Sequence, residues 1–87
     1  MQGGPHNHTI GALAVALLEV LQPEFKEYSK QILSNAKSLA NGLMKRGHKL
    51  VTNGTDNHIV LWNLRDHGLT GSKIELISNY TNIAVNK

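Results

Sequence analysis

From Ile10 to Leu21 the chain carries a run of about twelve residues that is apolar on nearly every side of a helix. Ile10, Leu13, Ala14, Leu17, Leu18 and Leu21 recur at helical spacing, while Ala12, Val15, Ala16 and Val20 fill the opposite face. A helix that is apolar all round has to be buried all round. The chain has 87 residues, and near that size folding buries only about 60% of the surface an unfolded chain exposes. So thin a core can hardly surround such a helix, which predicts that the chain belongs to something larger or forms an oligomer. The run is too short to span a bilayer, and no membrane association is expected.

The flanks of the run set its neighbours. Gln2-Gly3-Gly4-Pro5-His6-Asn7-His8 is rich in turn-setting residues and reads as a loop feeding a helix that starts near His8 or Thr9. Pro23 fits the first turn of a second helix, with Glu24 and Glu27 near its positive end. Phe25, Tyr28, Ile32, Leu33, Ala36, Leu39, Ala40, Leu43 and Met44 form one stripe, and Lys26, Lys30, Lys37 and Asn41 lie off it. Lys45 and Arg46 suit the last turn, and Gly47 supplies a left-handed stop.

Beyond Gly47, Lys49–Thr52 and Ile59–Leu64 read as strands joined through Asn53-Gly54 and the four residues Thr55 to His58. Thr70 is a candidate cap, Ser72-Lys73-Ile74-Glu75 has capping-box spacing for a helix to about Tyr80, and Ile83-Ala84-Val85 reads as a third strand. The predicted order is helix, helix, strand, strand, helix, strand, an α/β or α+β class.

Composition excludes more than it assigns. Nine basic and six acidic residues give a net charge of +3 without any run of like charges, so a solvated mixed surface is expected and nucleic acid is not an expected partner. Without cysteine there is neither a disulfide framework nor a thiolate metal site. Met1 leads into Gln2-Gly3-Gly4-Pro5 with no basic region before an apolar core, so no signal peptide is expected.

Few residues suggest chemistry by themselves. Gly3-Gly4 ahead of a helix reads either as a plain turn or as a loop whose backbone N–H groups contact a phosphate. His6 and His8 could share a metal with Asp56 and His58, but nothing in the spacing ties the two clusters together, so no metal is expected. Ser29, Ser34, Ser38, Ser72 and Ser78 lie on predicted helices outside any nucleophile-elbow pattern. Lys26, Lys30, Lys37 and Lys45 read as solvated-face residues, and Trp62 as a packing residue of an apolar strand.

Five stretches in order carry a resemblance. They are Gln2 to His8 with the hydrophobic helix and Pro23-Glu24-Phe25-Lys26-Glu27-Tyr28; Gly47-His48-Lys49-Leu50-Val51-Thr52; Thr55-Asp56-Asn57-His58; Leu69-Thr70-Gly71; and Asn82-Ile83-Ala84-Val85-Asn86-Lys87. Together they make the chain similar, over essentially its whole length, to serine hydroxymethyltransferase. Gly11-Ala12 stands where that family often reads Ala-Gly, and Asn53-Gly54 where it often reads Gly-Gly.

The resemblance implies a fold-type I pyridoxal-phosphate transferase, a homodimer or homotetramer with active sites at the subunit interface. It makes residues 1–22 the end of the cofactor-binding large domain, and residues 23–87 the connecting helix and the first part of the C-terminal domain. Phosphate contact with the neighbouring subunit's cofactor carries over to Gly4 and Gly3. The implied reaction interconverts serine plus tetrahydrofolate with glycine plus 5,10-methylenetetrahydrofolate, in the cytoplasm or mitochondria, with the cytoplasm preferred.

The family's Schiff-base lysine has no counterpart in these residues. Its cofactor-ring and substrate-carboxylate groups are likewise missing, and its folate-contacting asparagine directly follows the position of Lys87. The chain alone is therefore expected to be an inactive fragment without catalytic residues, and Asp56 and His58 are expected to be structural. The competing expectation is a non-catalytic module that binds a partner through its apolar helix.

Overall fold

The computed structural model describes residues 2–87; Met1, the first residue of the expected 1–22 unit, lies outside them. Helix α1 (Asn7–Val20) and helix α2 (Pro23–Lys45) are followed by strands β1 (Lys49–Leu50) and β2 (Trp62–Asn63), a 3-10 turn at Arg65–His67, and helix α3 (Gly71–Tyr80). The architecture is α+β, as the sequence predicts at that level. The Cα radius of gyration is 18.3 Å, against about 12 Å for a compact domain of this length.

Helix α1 begins one residue earlier than its spacing predicts and buries none of its residues. Ile10, Leu13, Val15, Leu17 and Leu18 are all 56–60% exposed, so no face of the helix is covered. Leu21 and Gln22 break the helix before Pro23, and the Gln22 side-chain amide donates to the Leu18 carbonyl at 3.1 Å.

Helix α2 forms over the predicted span and ends as Gly47 predicts. Gly47 takes φ 83°, its N–H donates to Met44 and that of His48 donates to Leu43, which closes a Schellman cap. The C-terminal half of the predicted stripe packs on β1. Ala36, Ala40 and Leu50 are the buried apolar residues among those described, and the alanines let the strand backbone approach closely.

The two strands pair antiparallel, Lys49 with Asn63 and Leu50 with Trp62. Both are shorter than predicted, because the chain leaves the ladder where Asn53 adopts φ 55°. Thr55 and Asn57 then tie the loop to itself: the Thr55 hydroxyl donates to the Ile59 carbonyl at 2.6 Å, and the Ile59 N–H donates to Asn57 Oδ1 at 2.8 Å.

Helix α3 is capped by Thr70, whose hydroxyl accepts from the Lys73 N–H at 3.4 Å. The predicted capping box from Ser72 to Glu75 does not form, since Ser72 is already the second residue of the helix and Glu75 instead meets the Lys87 ammonium at 3.0 Å. Asn82 at φ 58° ends the helix, with the Ile83 N–H donating to Ser78.

The third strand predicted at Ile83-Ala84-Val85 is absent. Those residues find no strand to pair with and run back along α3 until Lys87 meets Gly71. A Cβ on Gly71 would stand 3.1 Å from the Lys87 Cβ and 3.2 Å from its Cα. Between this segment, α2 and the strands an open groove of about 1480 Å³ remains, lined by residues that include Leu39, Leu43, Leu61, Leu69, Ile74 and Ile83.

Candidate functional site

The loop before α1 leads into an uncapped helix start. His6 is the N-cap residue, but its side chain makes no capping hydrogen bond and the first turn carries no acid. The first N–H groups of a helix have no intrahelical acceptor, and here they project from its positive end next to Gly3-Gly4. Among the described residues, a Cβ on Gly4 would meet nothing within 4 Å, and one on Gly3 would meet only His6 Nε2 at 4.0 Å. Packing within this chain therefore does not call for either glycine.

The remaining candidates are dispersed. His6 and His8 face each other edge to face with ring centroids 5.7 Å apart, but no group of three or more His, Cys, Asp or Glu residues is placed to hold a metal among the described residues. The Asp56 and His58 side chains form no hydrogen bond or ion pair among those residues. The loop's own hydrogen bonds come from their neighbours Thr55 and Asn57. Lys26, Lys30, Lys37 and Lys45 are exposed, as predicted for a solvated face.

One cluster has no precursor in the sequence reading. His48 follows the α2 cap and His67 closes the 3-10 turn, and strand pairing brings them together with His48 Nδ1 and His67 Nε2 3.3 Å apart. Trp62 lies beside both, its ring centroid 4.8 Å from that of His48 and 6.1 Å from that of His67. Its indole N–H is buried without a partner. On the same edge Lys49 Nζ and Asp66 Oδ2 form an ion pair at 2.6 Å. The Lys49 hydrogen bond and charge hold the Asp66 carboxyl below its ordinary range, and Asp66 raises Lys49 in turn. Separations of about nineteen residues, such as that from His48 to His67, carry no periodic signal, so only the register of the strands reveals the cluster.

Comparison with known proteins covers this whole arrangement. The family model for serine hydroxymethyltransferase matches residues 1–87. The chain is 56% identical over 87 residues to serine hydroxymethyltransferase 4 of Arabidopsis thaliana, covering 100% of this chain and 18% of that protein. It is 57% identical over 86 residues to the mitochondrial serine hydroxymethyltransferase of Candida glabrata, covering 99% of this chain and 18% of the relative. With the cytosolic enzyme of Saccharomyces cerevisiae it shares 55% identity over 86 residues, again 99% of this chain and 18% of the relative. The chain thus spans about one fifth of the length of the curated relatives it matches, and by sequence it belongs to the serine hydroxymethyltransferase family.

Proposed function

We propose that these residues work as part of a serine hydroxymethyltransferase of fold type I, interconverting serine plus tetrahydrofolate with glycine plus 5,10-methylenetetrahydrofolate. Residues 1–22 close the cofactor-binding domain, and residues 23–87 form the connecting helix and open the C-terminal domain. The observation that carries this reading is the family match over the whole chain, α1 included, although α1 is apolar and uncovered in the chain alone.

Surface area supports the same reading. The chain exposes 7584 Å², where a compact protein of its mass would expose about 5000 Å². The excess of roughly 2500 Å² is of the size buried in obligate assemblies. We assign it to the rest of the enzyme and to a homodimer or homotetramer. Relatives named for the cytosol and for mitochondria match almost equally, at 55% and 57%, so these residues are not the ones that decide the compartment.

Pyridoxal phosphate, when bound, supplies the electron sink for breaking the bond between the serine α and β carbons. The residues of this chain fit its phosphate at the loop. Gly4, and beside it Gly3, leave room for the oxygens, and the uncapped first turn of α1 offers N–H donors at the positive helix end. Their task is binding and orientation. None of these residues is assigned proton or bond-breaking chemistry, so the chain alone is inactive.

Grafting residues 2–87 into the Saccharomyces cerevisiae cytosolic enzyme in place of the matched segment tests this reading. The chimera should cleave serine in the presence of tetrahydrofolate while the 87-residue chain does not. Gly4→Val in the chimera should weaken cofactor retention by about tenfold or more, the cost of one blocked contact of about 1.4 kcal/mol. Serine cleavage by the chain alone would overturn its inactivity, and unchanged cofactor retention in a folded Gly4→Val chimera would overturn the phosphate role. If the chimera fails and the chain instead binds a full-length enzyme through α1, the non-catalytic module is the better reading.

A further inference from the structure

The His48–His67 pair is remote in sequence from the glycine loop and arises from strand register, whatever the family. Two nitrogens held about 2.0–2.1 Å from one tetrahedral ion stand about 3.3 Å apart. His48 Nδ1 and His67 Nε2 stand 3.3 Å apart. Without an ion one ring N–H can donate to the other ring across this gap, and the same spacing is that of a chelate. We propose that His48 and His67 form a two-imidazole chelate for a divalent metal ion that accepts a tetrahedral shell, of the zinc and cobalt class, with solvent completing its coordination shell.

The surroundings favour the pair as a ligand set. His67 is exposed and His48 half-buried, so an ion can reach the nitrogens from water. The two residues come from separate elements, the end of the α2 cap and the 3-10 turn, and the β1–β2 pairing fixes the gap between them. The edge of His48 packs on Trp62, which limits its rotation. The nearby Asp66 carboxylate is engaged by Lys49 at 2.6 Å and is therefore not counted as a ligand. Imidazole selects intermediate metals over calcium and magnesium, and the 3.3 Å spacing suits a tetrahedral shell better than the tetragonal shell of Cu(II) or Ni(II), whose adjacent nitrogens stand about 2.8–2.9 Å apart. Protons compete for the same nitrogens, so binding should weaken as the solution is acidified.

Trp62 is the single tryptophan of the chain and lies against both imidazoles, so it reports on the site directly. The test titrates Co(II), a fluorescence-quenching ion that accepts the same tetrahedral shell as zinc, into the full chain at neutral pH and follows Trp62 fluorescence, with reversal by a chelator. We expect saturable quenching whose midpoint shifts at least about tenfold in His48→Ala and in His67→Ala, as for loss of one ligand of two. His67→Phe keeps a ring beside Trp62 but removes both nitrogens, and it should lose binding equally while retaining the parental emission maximum. The double variant His6→Ala/His8→Ala should leave the midpoint within about twofold, since the Trp62 signal reads only the nearby chelate. Absence of saturable quenching, a parental midpoint in His67→Phe, or a midpoint that moves with His6 and His8 would each overturn the proposal.

Discussion

Helix α1 is the more apolar of the two long helices and buries nothing, whereas α2 carries lysines along one side and supplies two of the three buried residues. The difference shows where folding is local and where it is borrowed. Helix α2 has its own stop at Gly47 and a strand to lie against, and its small residues Ala36 and Ala40 let that strand come close. Helix α1 has neither a side-chain cap nor a partner surface. Covering its exposed Ile10, Leu13, Val15, Leu17, Leu18 and Leu21 would contribute on the order of 5–10 kcal/mol. That is as much as the whole stability of many domains, and it becomes available only from outside these residues.

The sharpest way to break the contrast is to put a carboxylate into each helix. Ala40 is 2% exposed, so Ala40→Asp buries an unpaired charge and should cost at least about 3 kcal/mol, more than so thin a unit can lose. Trp62 emission should shift fully to that of a solvated indole. Leu17→Asp should leave that emission unchanged in the chain, yet abolish folding of the chimera, where α1 is covered. Equal effects of the two variants on Trp62 in the chain would erase the distinction.

Smaller changes grade the α2 side. Leu50→Ala removes the strand residue packed on the alanine seam and should cost about 2–4 kcal/mol in urea unfolding followed by Trp62 fluorescence. Gly71→Ala places a Cβ 3.1 Å from that of the exposed Lys87, which has to shift by a few tenths of an ångström, and this should weaken the Lys87–Glu75 contact seen by NMR. Thr70→Ala removes the α3 cap at about 1 kcal/mol and should fray the first turn of α3, measured by amide exchange of Lys73.

The smallest effect belongs to the exposed pair Lys49–Asp66. Asp66 is shifted downward, so its contribution is complete above the ordinary carboxylate range and is lost as pH falls through its depressed folded value. Lys49 is shifted upward, so its contribution is complete below the ordinary lysine range and is lost as pH rises through its raised folded value. Between those limits stability should be flat with respect to this pair. Lys49→Met should change the melting temperature little, and added salt should remove what difference there is.

Features that rest on local chemistry could be read from the sequence. The stripe of α2, the Gly47 stop and the Thr70 cap each depend on residues within a turn or two of one another. The unburied helix was also readable, because a pattern without a polar side states what a short chain cannot cover. Strand extent was not readable, since Ile83-Ala84-Val85 has strand-like residues but no partner within reach, and the Asn53 turn cuts the ladder short. Ser72 and Glu75 have capping spacing, but Thr70 caps the helix two residues earlier. Of the candidate site, Gly3-Gly4 and the helix behind it were visible as a motif. The meeting of His48 with His67 depends on strand register, which the residues alone do not encode in any period.

Hydrogen exchange across α1 tests the central claim most directly: that this helix is covered only by the rest of a serine hydroxymethyltransferase. Amides of Asn7–Val20 should exchange close to unprotected rates in the monomeric chain, while the amide of Val51, bonded to Leu61 across the strands at 3.0 Å, exchanges more slowly. In the chimera with the Saccharomyces cerevisiae enzyme, α1 should rank among the most protected segments. Strong protection of α1 in the monomeric chain, or none in a folded and active chimera, would contradict the account.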